Sequence, residues 1–105
     1  MARHLEKQED YEKIVGGGKV VLADFFATWC GPCKLISPVL DELSGEFGDS
    51  VDIVKIDVDR FPEVAERANV HGYPSLFFFK DGRLQEIAKG FKTKDQLKDI
   101  LRQYL

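Results

Sequence analysis

This 105-residue chain has few of the features that staple, anchor or charge a protein. It holds two cysteines, one tryptophan, one methionine, two histidines and four prolines. Two cysteines are too few for the disulfide framework of a small secreted domain. A zinc site needs about four ligands; His4 and His71 lack ligand spacing to the cysteines, so no metal is expected. No apolar stretch approaches the ~18 residues of a membrane span. The 18 acidic and 15 basic side chains, net −3, are scattered without a basic block or acidic tail, which excludes nucleic acid and membrane as expected partners. The segment from Met1 to Asp10 has neither an apolar signal core nor transit-peptide character, so a cytoplasmic location is expected.

With 44% hydrophobic and 31% charged residues, the composition is that of one globular domain over residues 1–105. Leu5 is placed in a short first strand. Asp10 to Val15 reads as a helix stopped by Gly16-Gly17-Gly18. Val20 to Ala27 is an almost unbroken apolar run, the mark of a strand covered on both faces. From Cys33 to Phe47, the residues Leu35, Ile36, Val39, Leu40, Leu43 and Phe47 form one helical stripe, with Pro38 expected to kink it. Val51 to Val58 reads as a strand and Pro62 to Ala68 as a short helix ending near Asn69. Leu76-Phe77-Phe78-Phe79 and Leu84 to Ala88 flank Lys80-Asp81-Gly82-Arg83, a hairpin signal. Thr93 and Gln96 have capping-box spacing and open a last amphipathic helix. The order β-α-β-α-β-α-β-β-α implies an α/β fold, a mixed sheet with helices on both faces.

The chemistry gathers at Trp29-Cys30-Gly31-Pro32-Cys33, where a buried strand ends and a helix begins. Reactive groups in α/β sheets collect beyond the carboxyl ends of strands. A helix amino terminus offers partial positive charge and free amide hydrogens. Both lower a thiol pKa from its free value of about 8.5, which favours Cys30 as attacking thiolate. Cys33, one turn along and expected to be the more buried, is placed to resolve a mixed disulfide. A structural disulfide, a zinc site and two unpaired core thiols are the competing readings. Closing so short a loop adds only ~2 kcal/mol by chain entropy, and Gly31-Pro32 argues against chance placement in a core.

Asp24 stands inside the apolar run. It is either buried, with its pKa raised toward neutrality and able to take a proton from Cys33, or it faces water at an edge. Lys55 is a candidate cationic partner for it. Pro74 opens a strand, Trp29 is either core or exposed contact surface, and Gly90-Phe91 reads as a strand end.

Taken together these residues resemble the thioredoxin family over the whole chain. Trp29-Cys30-Gly31-Pro32-Cys33-Lys34 matches its active-site motif, and Asp24, Pro38, Lys55, Pro74, Lys80-Asp81-Gly82 and Gly90 fall at matching distances. The resemblance implies the thioredoxin fold and a protein-disulfide reductase. It implies Asp24 as buried proton acceptor with Lys55 beside it, and a cis peptide before Pro74. Trp29, Gly31, Pro32, Tyr73, Pro74, Gly90 and Phe91 become the substrate-contact surface. Gly31-Pro32 is also the redox-tuning pair of the reducing members, where oxidising or isomerising relatives usually carry histidine. Further implications are disulfide-containing substrate proteins, a thioredoxin reductase as electron donor, a monomer, and no bound cofactor beyond the Cys30–Cys33 disulfide. Three residues depart from the pattern: Phe26 where many bacterial members have tryptophan, Tyr73 for an aliphatic residue, and Ser75 for threonine. A disulfide oxidase or isomerase on the same fold, and a non-catalytic binding subunit, are the rival readings.

Overall fold

The computed structural model describes residues 2–105, so Met1, the first residue of the N-terminal segment read above, lies outside it. In chain order the elements are β1 (Arg3–His4), α1 (Asp10–Val15), β2 (Val20–Phe26), α2 (Gly31–Phe47), β3 (Val51–Asp57), α3 (Pro62–Arg67), β4 (Ser75–Lys80), β5 (Arg83–Lys89) and α4 (Lys94–Tyr104). A short 3-10 turn, Gly48–Ser50, joins α2 to β3. Five strands form one sheet in the order β1-β3-β2-β4-β5. The first three are mutually parallel; β4 runs antiparallel to β2, and β5 antiparallel to β4. The two apolar runs thus become the sheet's centre, as their near-continuous burial demands.

Because side chains alternate along a strand, the sheet has two distinct inner faces. On one, Tyr11 and Val15 of α1 and Val64 and Ala65 of α3 pack against Val21, Ala23, Phe25, Val54, Ile56, Phe77 and Phe79. On the other, Ile36, Leu40 and Leu43 of α2 and Leu97 and Leu101 of α4 cover Val20, Leu22, Ile53, Leu76 and Phe78. The hairpin turns through Asp81 (φ 53°) and Gly82 (φ 77°), the backbone a two-residue type I′ turn requires. At the start of α4, Thr93 Oγ1 accepts from the Gln96 amide at 3.2 Å and Gln96 Oε1 from the Thr93 amide at 2.9 Å.

Several boundaries shift from the expected ones. β1 comprises Arg3–His4, and Leu5 follows it, buried and donating its amide to the Lys55 carbonyl at 2.9 Å. α2 begins at Gly31 rather than Cys33, because Pro32 fits its first turn and Cys30 caps it. The helix continues through Pro38 to Phe47. Leu35, expected on the buried stripe, is 67% exposed. The phase of α2 is set by Ile36, Leu40 and Leu43, which turns Leu35 outward beside Lys34 and Pro38.

Candidate active site

Cys30 ends the loop after β2 in an extended conformation (φ −91°, ψ 115°) and serves as the cap of α2. The Cys33 amide donates to Cys30 Sγ at 3.2 Å. The two sulfurs form a disulfide, with Cα atoms 5.3 Å apart. Both cysteines are buried, Cys33 at 3% exposure slightly more than Cys30 at 6%. Cys30 Sγ thereby meets an amide hydrogen, the positive end of a four-turn helix and no acidic side chain in its first turn. Each of these favours negative charge on sulfur.

Around the sulfurs lies a shallow apolar surface. Trp29 is 68% exposed; its indole N–H donates to Asp59 Oδ2 at 3.2 Å, and its ring meets Tyr73 edge-on at 5.8 Å. Asp59 is itself placed by a turn in which the Asp59 and Arg60 amides donate to Asp57 Oδ1 at 2.9 and 3.3 Å. The Tyr73–Pro74 peptide bond is cis, and the Tyr73 carbonyl oxygen lies 3.6 Å from Cys30 Sγ. The Gly90 amide donates to the Pro74 carbonyl at 2.9 Å, which brings the exposed Phe91 to the same end of the sheet. Gly90 has φ 81°, a conformation that favours glycine. Gly31 and Pro32 are exposed between the cysteines.

Below the disulfide, Asp24 is 1% exposed, which removes the edge reading. Its Oδ1 has no hydrogen-bond partner among the described residues. It borders a cavity of about 200 Å³ that Cys33, Phe26, Ser37, Lys55 and His4 also line. Burial pushes the Asp24 carboxyl up to about 7, and the nearby Lys55 charge pulls the other way.

Lys55 is not hydrogen-bonded to Asp24, although the two are register neighbours on β3 and β2. Its ammonium donates to Asp41 Oδ1 at 3.0 Å and to the Ser37 hydroxyl and carbonyl at 2.7 and 3.3 Å. Lys55 is thus a cationic neighbour that acts on Asp24 through its charge, while α2 crosses this face and supplies the oxygens that take its hydrogen bonds.

Three residues in this arrangement carry no role in the sequence reading, and a fourth, His4, is weighed there only as a metal ligand. Ser37 and Asp41 sit four apart on α2, a polar pair beside the apolar stripe, which was the available signal. Asp59 follows Asp57 at a strand end, a common turn pattern. His4 alternates with the buried Leu5 and so had to face the opposite side of the sheet.

Comparison with known proteins agrees with this geometry. A family model described as Thioredoxin matches residues 2–103. The chain is 51% identical over 86 residues to the thioredoxin of Bacillus subtilis, covering 82% of this chain and 83% of that one. It is 44% identical over 96 residues to the thioredoxin of Staphylococcus epidermidis, 91% of each. Among solved structures, the thioredoxin of Malassezia sympodialis superposes with a TM-score of 0.90 at 33% identity, covering 99% of this chain and 90% of that one. A mutant thioredoxin from Halobacterium salinarum gives 0.88 at 35% identity, with 98% and 90% covered.

Proposed function

The chain belongs to the thioredoxin family and is a protein-disulfide reductase, and we propose that Cys30 is its attacking nucleophile, Cys33 its resolving thiol and Asp24 the acceptor of the Cys33 proton. Its redox centre is its own cysteine pair, and the family uses no cofactor. In the reduced protein the Cys30 thiolate attacks one sulfur of a substrate disulfide. A Cys30–substrate disulfide forms, and the other substrate sulfur leaves as thiolate. Cys33 then gives its proton to the Asp24 carboxylate and attacks Cys30 Sγ. The Cys30–Cys33 disulfide forms and the second substrate thiolate departs, so two electrons pass to the substrate.

The observation that carries this reading is Asp24 Oδ1, which has no hydrogen-bond partner among the described residues, on a carboxylate bordering the cavity that Cys33 also lines. A carboxyl whose pKa lies near 7 matches a proton acceptor working at neutral pH. Trp29, Tyr73, Pro74, Gly90 and Phe91 form the substrate-docking surface, with Gly31 and Pro32 leaving the sulfurs open to approach and tuning their potential. Lys55 steadies the charge of Asp24 from the neighbouring strand. The family implies disulfide-bearing substrates and a reducing partner in general; a thioredoxin reductase is the donor proposed here, acting on a cytoplasmic, monomeric protein whose whole chain works as one domain. Among the described residues no helix is long and apolar enough to cross a membrane.

Cys33→Ser mixed with a disulfide substrate tests the roles. A stable one-to-one adduct on Cys30 is expected, with none formed by Cys30→Ser. An adduct on Cys33 of the Cys30→Ser protein, and none on Cys30, would reverse the assignment. A reduction potential near −270 mV fits a reductase, whereas about −180 to −120 mV would make the protein an isomerase or oxidant.

A further inference from the structure

Three titratable side chains lie in one row across the sheet: His4 on β1 pairs in register with Lys55 on β3, which pairs with Asp24 on β2. Register partners on parallel strands point to the same face, and all three line the same cavity of about 200 Å³. The row begins in solvent, where His4 is exposed, and ends at the buried Asp24. The His4 ring is held edge-on against Phe26, centroids 6.1 Å apart.

A proton placed on Asp24 has to return to solvent before the next cycle, and Asp24 itself has almost no exposed surface. Other charged groups face this cavity: Lys55 from β3, Lys34 from α2, and behind Lys55 its partner Asp41. Lys55 directs its ammonium hydrogens at Ser37 and Asp41, with three hydrogen bonds for its three donors. An imidazole ring can accept a proton on one nitrogen and release one from the other, which an ammonium with all its hydrogens bonded cannot do. Two strand spacings separate His4 from Asp24, on the order of 10 Å between backbones. A cavity of about 200 Å³ has room for several waters to bridge such a gap.

We propose that His4 is the solvent-side proton relay of the site, a positioning residue that acts through Asp24. The proton taken from Cys33 passes from the Asp24 carboxyl through cavity water to the neutral His4 ring, and from the imidazolium to bulk water. No electrons move in this step, and Asp24 returns to carboxylate. The inference rests on Asp24 being the proton acceptor, and the two claims are separable by experiment.

The test follows the protonated Asp24 carboxyl by infrared absorption after a jump from pH 6 to pH 8 on the oxidised protein. Asp24→Asn identifies the band. Wild type should lose the band rapidly and independently of added imidazole. His4→Gln and His4→Ala should lose it about tenfold more slowly or worse, with speed restored by imidazole. A merely structural role for His4 would not produce rescue by imidazole. Wild-type decay in both His4 variants overturns the relay. Unchanged turnover in Asp24→Asn overturns the acceptor role, and the relay built on it, by a different measurement.

Discussion

The face of the sheet under α1 and α3 and the face under α2 and α4 are built from the same kinds of side chain up to one row. Under α1 and α3, Val21, Ala23, Phe25, Val54, Ile56 and Phe77 form an apolar layer, with Phe25 in aromatic contact with Tyr11 and Phe77. Under α2 and α4, Leu22, Ile53, Leu76 and Phe78 are interrupted by Asp24 and Lys55, both buried. Lys55 is satisfied by Ser37 and Asp41, while Asp24 Oδ1 is not satisfied by any described residue. The first face carries no charged side chain among these strand residues, and its cluster extends to the buried Cys30 and Cys33. The second gives up some stability to hold an ionisable group beneath Cys33.

The sacrifice has a size and a sign. Asp24 is raised from 3.8 to about 7, and each unit corresponds to about 1.4 kcal/mol, so its charged form costs the fold on the order of 4 kcal/mol. Between those two values the folded state keeps a proton that the unfolded state has released. Stability therefore falls as pH rises from about 4 to about 7, and changes little from this source above that.

The contrast between the faces can be broken in several ways. The largest expected effect is on activity: Cys30→Ser should abolish disulfide reduction, measured with an insulin-type substrate, while leaving the thermal unfolding of the reduced protein close to that of reduced wild type. On the apolar face, Phe25→Ala should cost about 3–5 kcal/mol in denaturant unfolding, equally at pH 5 and pH 8. On the other face, Asp24→Asn should do the opposite. It should stabilise by roughly 2–4 kcal/mol at pH 8 and by little at pH 4, while turnover falls. If Asp24→Asn destabilised the protein at pH 8, the cost assigned to this face would be wrong. Lys55→Met should move the Asp24 titration upward by removing the charge that opposes burial, and should lose about 1–3 kcal/mol as Ser37 and Asp41 lose their donor. Smallest of all, Lys94→Ala removes exposed ion pairs to Glu42 and Glu46 between α4 and α2, and should leave the unfolding midpoint unchanged within error.

Much of this contrast was legible before any coordinates. The unbroken run from Val20 marks a central strand, Asp81-Gly82 the hairpin, Thr93 with Gln96 the last cap, and the cysteine spacing at a strand–helix junction the chemistry. These are local signals, each fixed by a few adjacent residues. What sequence could not settle depends on how elements cross. Whether Asp24 was buried hinged on β2 lying between β3 and β4 rather than at an edge. The partner of Lys55 hinged on α2 passing over β3, which puts Ser37 and Asp41 within reach. Leu35 was misplaced because a stripe with one surplus apolar residue leaves the helix phase open by a fraction of a turn. Trp29 pointing outward follows from the turn at Asp57, whose consequence for Asp59 appears only in three dimensions.

The central claim is that the fold holds Asp24 buried and half-neutral near physiological pH so that it can take the proton of Cys33. The most direct measurement is a carbon-13 NMR titration of the Asp24 carboxyl in the oxidised protein. A midpoint near 7 is expected. A midpoint near 4, the ordinary value for an exposed aspartate, would contradict the account, because such a group is already ionised and too weak a base to deprotonate a thiol at neutral pH.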